Sequence, residues 1–482
     1  MKRRIVRSRD CWFFLFLVCI VLLSLHFQQA KIEPRSHFRT IIPNFLSTCS
    51  ALWHYLSDSQ DGFACIGNSP EEGQFCVADR VCVNRSHGAW ISVSGNSVMS
   101  NTPGIVMMGV DLSTDPFRKS FPVRRENFRQ EELEPLVIGS FYECAHMSHF
   151  FLNGAFPAAA SAMRLTNHNK RPFLIAERVH GECNFDTFST LESVYSNNFT
   201  RDGIMRLDQP ESLPEATRCF GTSVLGLRRT CFHSYCPRLI ERFEVDYFSN
   251  AVKNHYNLGT NSNTLLLKQP IKVTFVQRRK TRIILNLEAV VELFQAISHS
   301  AMMAMCRGFN FTHDERFSWI SDPNLLLHVC QIETLISTEI VELEDLPYVD
   351  QIRLFSNTDI LVAAHGNAIG NAVWMPHYGA VVECFMKGWW SPWFMDPLKN
   401  ILGLDYSALT STNTILSTEQ ELAEKDAIGK GEEEGLLKRR NILLNAEDTV
   451  YKLFVIVGRV IKARMSQLRE KNSDRRKVMN CL

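Results

Sequence analysis

No Asp-x-Asp pair occurs anywhere in the 482 residues, so the usual carboxylate means of holding a divalent metal on a diphosphate is missing. No CxxC pair is present either, which removes the common zinc-ligand spacing from a chain that nonetheless has 15 cysteines. His146 and His149 stand at i and i+3 without a third ligand nearby, which argues against zinc there as well. Long lysine-rich tracts are also lacking. Lys and Arg number 52 against 51 Asp and Glu, and beyond the amino terminus the basic residues are interspersed with acids, so a nucleic-acid partner is excluded.

What the chain does contain points to an oxidising compartment. Most of its cysteines lie beyond residue 30, an excess unusual for a cytosolic enzyme. Lys2, Arg3, Arg4, Arg7 and Arg9 precede an apolar run from Cys11 to Phe27, and no small-x-small cleavage site follows. Residues 1–10 therefore read as a cytosolic tail and 11–28 as a transmembrane signal anchor of a type II membrane protein, with everything after it lumenal. Three sequons, at Asn84, Asn198 and Asn310, would then be available for glycosylation.

Residues 29–84 form a stem followed by a region where Cys49, Cys65, Cys76 and Cys82 alternate with glycines, which suggests one or two local disulfides. Strand-like pieces follow at Ala89–Val93 and Gly104–Met108. Residues 257–269, rich in asparagine, read as a linker between an amino-terminal domain, 85–256, and a carboxyl-terminal one, 270–415. A charged, glycine-punctuated loop occupies 416–440, and residues 441–482 carry a helix opened by Asn445 and a basic tail.

Two stretches in the carboxyl-terminal domain carry chemistry. Ile360–Ala364 is a short apolar run that ends at His365-Gly366, and Ala380-Val381-Val382 is a second, closed by Glu383; with a short helix between them they make a βαβ unit. Such a unit places His365, Gly366 and Glu383 at the carboxyl edge of a parallel sheet. Gly366 and Gly370 would let the backbone approach a bulky anion, and a helix starting near Ala368 would offer it free N–H groups. His365 could donate to a phosphate and Glu383 could accept from ribose hydroxyls. The plain alternative is a simple turn after a strand. The second stretch is the strand Ile271–Val276, followed at once by Arg278, Arg279 and Arg282, with Asn286 as the expected cap of an amphipathic helix. Guanidinium groups match phosphate oxygens two at a time, although a solvated turn is the ordinary fate of such a run. Cys384, next to Glu383, reads as a buried free thiol. Trp389, Trp390, Trp393 and Phe394 form an aromatic loop able to stack on a base or a sugar, or simply to cover the core.

His365-Gly366-Asn367-Ala368-Ile369-Gly370-Asn371, then Pro376 and Val381-Val382-Glu383, resemble the signature of glycosyltransferase family 61. Asn367, Ala368 and Gly370 depart from the family's usual Ala, Gly and Thr. Arg278, Arg282 and Asn286 meet the family's arginine-rich turn, and His149-Phe150-Phe151-Leu152-Asn153 is similar to another of its segments. The resemblance implies an α/β fold of the GT-B kind, two Rossmann-like domains with a cleft between them, behind the amino-terminal transmembrane helix. It implies an inverting, metal-independent transfer of a sugar, N-acetylglucosamine or xylose, from a UDP-sugar to a hydroxyl of a glycoprotein or glycan. Arg278, Arg282, Asn286, His365, Gly366, Asn371 and Glu383 would bind the nucleotide sugar, and His149, with Glu143 and His146 behind it, would serve as general base. No cofactor is expected beyond the UDP-sugar donor, and the compartment would be the Golgi apparatus or endoplasmic reticulum. The changed loop also leaves open a non-catalytic lumenal protein that binds UDP or glycan.

Overall fold

The computed structural model describes residues 63–66, 75–78, 80–93, 105–107, 119–121, 123–125, 134–141, 155–165, 171–179, 185–201, 203–207, 209–221, 223–225, 242–258, 269–307, 336–412 and 437–479. The chain divides into two compact units, Met1–Thr48 and Cys49–Leu482, and all of these residues lie in the second. Among the described residues no helix is long and apolar enough to cross a membrane. The expected anchor at 11–28 lies outside them.

The amino-terminal half contains β1 (Phe63–Ile66), β2 (Phe75–Ala78), β3 (Val81–Asn84), β4 (Gly88–Val93), β5 (Ile105–Met107), β6 (Lys119–Phe121), β7 (Val123–Arg125), β8 (Leu136–Phe141), β9 (Phe173–Val179), β10 (Ile204–Arg206), β11 (Arg218–Phe220) and β12 (Ser223–Leu225). Six of these make a mixed sheet in the order β1-β2-β12-β8-β9-β10, parallel from β12 to β10 and antiparallel at the β1-β2-β12 end. Four others make a smaller sheet, β11-β3-β4-β7. The strands expected at Ala89–Val93 and Gly104–Met108 are β4 and β5.

Cys82 pairs not with a neighbouring cysteine but with Cys219, its register partner across β3 and β11, a separation of 137 residues. Spacing left the pairing of Cys82 open because it is blind to which strands become neighbours. Replacing both by serine is expected to cost about 2–4 kcal/mol of unfolding free energy, since the bond closes a long loop in the unfolded chain. A urea midpoint equal to that of the parent protein would contradict this.

The carboxyl-terminal half is built on β13 (Ile271–Gln277), β14 (Ile336–Glu342), β15 (Ile360–Ala364), β16 (Ala380–Phe385) and β17 (Asp405–Thr410). Their order is β14-β13-β15-β16-β17, and every neighbouring pair is parallel. Parallel strands need both faces covered, which is why β15 and β16 are buried at every residue. Alternate side chains serve two different cores. Val273, Phe275, Ile360, Val362, Ala380 and Val382 pack under the Leu287–Cys306 helix and the long Ala446–Met479 helix. Val276, Leu361, Ala363 and Val381 face a core that continues into the amino-terminal half through Phe156 and Phe248. Phe248 stacks on Trp374 at 6.1 Å, so the Arg242–His255 helix of one half rests on the Asn367–Trp374 helix of the other. The fold is thus α/β with parallel sheets, and the two halves share one apolar core.

Two helix starts show different outcomes for asparagine. Asn445 accepts from the Asp448 amide at 3.0 Å and caps the last helix as expected. Asn286 does not cap the helix it precedes. Its carboxamide instead bridges the chain at Leu444, donating to the carbonyl at 2.8 Å and accepting from the amide at 3.1 Å. A backbone segment from a distant part of the chain competed for the same donor and acceptor, and spacing cannot reveal it.

Candidate functional site at the carboxyl edge of the parallel sheet

β13 and β15 are neighbours, so the residues that follow each strand emerge side by side. Arg278 follows β13, and His365-Gly366 follows β15. Both guanidinium groups close over Gly366: a Cβ built there would lie 2.5 Å from Arg278 Nη1 and 3.0 Å from Arg282 Nη1. Only glycine tolerates that approach, and only glycine adopts its φ of 145° without strain. Gly366 also sits at the amino end of the Asn367–Trp374 3-10 helix.

Arg282 is held from three sides. Its Nε donates to the Lys438 carbonyl at 2.7 Å, and its Nη1 donates to the His365 carbonyl at 2.6 Å. Its own backbone is left-handed, with φ 60°, a conformation that non-glycine residues keep only where the surroundings enforce it. Residues 441–444 supply that enforcement: Ile283 and Leu285 donate amides to Asn441 Oδ1 and the Ile442 carbonyl, and Ile442 donates back to Ile283. Burial, and then the like charge of Arg278, push the Arg282 guanidinium down to about 10; burial also pushes Arg278 down, against the pull of Glu344. Neither is ion-paired to a carboxylate among the described residues, whereas Arg279 beside them reaches Glu342 at 2.6 Å and Asp345 at 2.5 Å. Two half-buried, converging cations without a carboxylate ion pair among the described residues stand beside a glycine, where a dianion would relieve both desolvation and repulsion.

His365 completes one wall. Its Nδ1 lies 2.5 Å from Glu383 Oε1, and Tyr406 donates its hydroxyl to Glu383 Oε2, also at 2.5 Å. The imidazole ring packs on Phe385 at 5.6 Å, on Phe394 at 5.4 Å and edge-on to Trp389 at 4.7 Å. Lys438 Nζ sits 5.6 Å from the Trp389 ring, which adds positive charge to the rim. Trp390, next in line, is 55% exposed.

The structure corrects three of the expected donor contacts. Glu383 is not at the end of its strand: β16 runs on through Phe385, which leaves Glu383 fully buried with both oxygens engaged by His365 and Tyr406. It therefore orients a histidine and is closed to ribose. Asn286 is engaged at Leu444. Asn371 is 1% exposed and donates to Gln351 Oε1 at 3.1 Å, so it secures the loop from inside. Arg278, Arg282, His365 and Gly366 are brought together. Cys384 is buried and free, as expected, and burial with the adjacent Glu383 pushes its thiol up. Tyr406 and Lys438 were missed, and no local pattern marks either one.

Glu143, His146, His149 and Asn310 lie outside the described residues. Asn84 is 7% exposed and donates Nδ2 to Thr217 Oγ1 at 3.1 Å, while Asn198 ends its helix with Nδ2 on the Val194 carbonyl at 2.9 Å. A hollow of about 260 Å³ lies at the opposite edge of the parallel sheet, lined by Lys272, Asp359, Tyr378 and Arg464 among others. It belongs to a buried ion pair: Arg464 Nη1 stands 3.8 Å from Asp359 Oδ2, and both residues are about 5% exposed.

Paired arginines and a positive-φ glycine thus stand at the carboxyl edge of a parallel α/β sheet, the edge at which open α/β sheets bind ligands. Residues 147–382 match the family model described as Glycosyltransferase 61. Protein O-linked-mannose beta-1,4-N-acetylglucosaminyltransferase 2 of Bos taurus is 32% identical over 104 residues, which are 20% of this chain and 17% of the relative. The chain thus spans about a sixth of the length of that relative. The crystal structure of the glycosyl transferase family 9 protein from Veillonella parvula DSM 2008 aligns over 70% of this chain and 99% of its own. Its identity is 11% and its TM-score 0.25, a superposition too loose to bear on the fold.

Proposed function

We propose that the protein transfers a sugar from a UDP-sugar to a hydroxyl of a glycoprotein or glycan, with inversion, and that Arg278, Arg282, His365 and Gly366 hold the diphosphate. The convergence of the two guanidiniums on Gly366 carries this reading. They supply the positive charge that a divalent cation would otherwise bring to a leaving diphosphate, which favours a metal-independent displacement. The acceptor oxygen attacks the anomeric carbon, the bond from that carbon to the phosphate oxygen breaks, and UDP departs with the electron pair. A base takes the hydroxyl proton, and His149, Glu143 and His146 remain the candidates for it. N-acetylglucosamine and xylose are the sugars proposed, with the two halves acting as donor and acceptor sides of a GT-B cleft. Anchorage by residues 11–28 would place the reaction in the lumen of the Golgi apparatus or endoplasmic reticulum.

Thermal-shift measurements with UDP and a panel of UDP-sugars, followed by a hydrolysis assay, test the proposal. UDP and one UDP-sugar are expected to raise the melting temperature of the parent protein, with the UDP response lost in Arg282→Ala. That single change removes one charge-assisted contact, a loss of roughly tenfold to a hundredfold in affinity. Stabilisation without turnover would make this a binding protein that kept the donor site and lost the chemistry. No response to UDP in the parent protein would overturn the donor site itself.

A further inference from the structure

We propose that Glu383 and Tyr406 are positioning residues for His365, holding its ring so that Nε2 becomes a third donor to the diphosphate oxygen that leaves. The inference rests on the donor reading above and adds two residues to it.

A fully buried carboxylate is costly to keep unless each oxygen has a donor. Glu383 has both: His365 Nδ1 on Oε1 and the Tyr406 hydroxyl on Oε2. A carboxylate only accepts, so Nδ1 donates to Glu383, and Nε2 donates outward when it too carries a proton. The side chain of His365 retains 12% exposure. Nδ1 is turned inward to a residue that sees no solvent, Phe385, Phe394 and Trp389 pack around the ring, and Nε2 is the ring nitrogen that Glu383 does not engage. The same residue's carbonyl accepts from Arg282 Nη1, and the next residue lies under both guanidiniums, so His365 adjoins the cation pair.

Tyr406 fits the role of a permanent donor. Burial first and the neighbouring Glu383 second push its phenol far above the ordinary tyrosine range, so the hydroxyl keeps its proton. Its position is set by the sheet. Tyr406 opposes Val381 in the β16–β17 register, two residues before Glu383 and on the same face.

In the transfer step, the bond between the anomeric carbon and the bridging oxygen breaks and the electron pair stays on the diphosphate. With a proton on each ring nitrogen, Nε2–H gives a hydrogen bond to that oxygen and keeps its proton, while the acceptor's own proton goes to the separate base. No further reactant is required.

The test is a double-mutant cycle on the full chain with Tyr406→Phe, His365→Ala and the two combined, with Glu383→Gln as an independent variant. Binding of UDP and of uridine is measured by calorimetry, together with kcat and KM for UDP-sugar turnover. His365→Ala is expected to lower kcat about 10²-fold, the size seen when one oxyanion donor is removed, with a much smaller change in KM. Tyr406→Phe should lower kcat about tenfold alone and have no further effect once His365 is alanine. Uridine affinity should not move in any variant. Additive effects of the two changes, or equal losses for UDP and uridine, would overturn the positioning role and leave the donor site standing. Should the parent protein bind UDP without turnover, the same cycle is read on UDP affinity. Absence of UDP binding in the parent protein would instead remove the donor reading on which the inference rests.

Discussion

Gly366→Ala is expected to abolish nucleoside diphosphate binding, a larger loss than either arginine alone would give. A methyl group at this position would lie 2.5 Å from one guanidinium nitrogen and 3.0 Å from another. The Arg278 guanidinium must move, and Arg282 must give by a few tenths of an ångström against its bonds to the Lys438 and His365 carbonyls. Each charge-assisted contact to a phosphate contributes about 1.5–3 kcal/mol, so losing two lowers affinity by at least about a hundredfold. The backbone adds its own penalty of about 1–3 kcal/mol, because alanine at a φ of 145° is strained. Calorimetric titration with UDP, run beside a melting curve to show that the variant is folded, measures both effects. A folded variant that binds UDP within a few-fold of the parent protein would mean that the arginines do not meet a ligand over this glycine.

Arg464→Met should be the most destabilising single change on the far edge of the sheet, at about 3–5 kcal/mol, because it leaves Asp359 buried without its counter-charge. Asp359 also accepts from the Lys272 amide at 2.8 Å and from the Tyr378 hydroxyl, and the charge of Lys272 acts on it less than that of Arg464. Burial already holds the Asp359 carboxyl above the ordinary carboxylate range, with Arg464 the largest opposing influence. The sign of the pH effect follows from that direction. A carboxyl whose folded pKa is raised binds its proton more tightly in the folded state, so stability is gained as pH falls through the folded value and lost as pH rises above it. Removing Arg464 raises that value further. The deficit of the variant should therefore be largest at neutral pH and shrink on mild acidification. Adding Asp359→Asn should recover much of the loss. Urea titrations at several pH values would show this, and a deficit independent of pH would contradict it.

The middle of the parallel sheet was legible because Ile360–Ala364 and the start of β16 are apolar runs. Ile360–Ala364 has the limits read from the sequence, and Ile271–Val276 falls one residue short of β13. Strand ends gave way where a charge was taken as a boundary. Glu383 looked like the end of a strand, yet a histidine and a tyrosine reach it from either side, and the strand continues around it. The partner of Cys82 was out of reach for a related reason. Cys82 is separated in sequence from the strand that carries its partner, and the register of β3 on β11 brings them face to face.

By itself, the order of residues determined the βαβ unit, the glycine after its first strand and the arginines after a second strand, since hydrophobic periodicity and turn chemistry act over a few neighbours. Only tertiary structure decided which side chains meet there. Lys438 and Asn441 brace Arg282 across some 156 residues of chain, and Tyr406 reaches Glu383 from the next strand. A buried carboxylate or guanidinium must find its partners wherever the fold supplies them, and contacts made at long sequence separation leave no periodic trace in the chain.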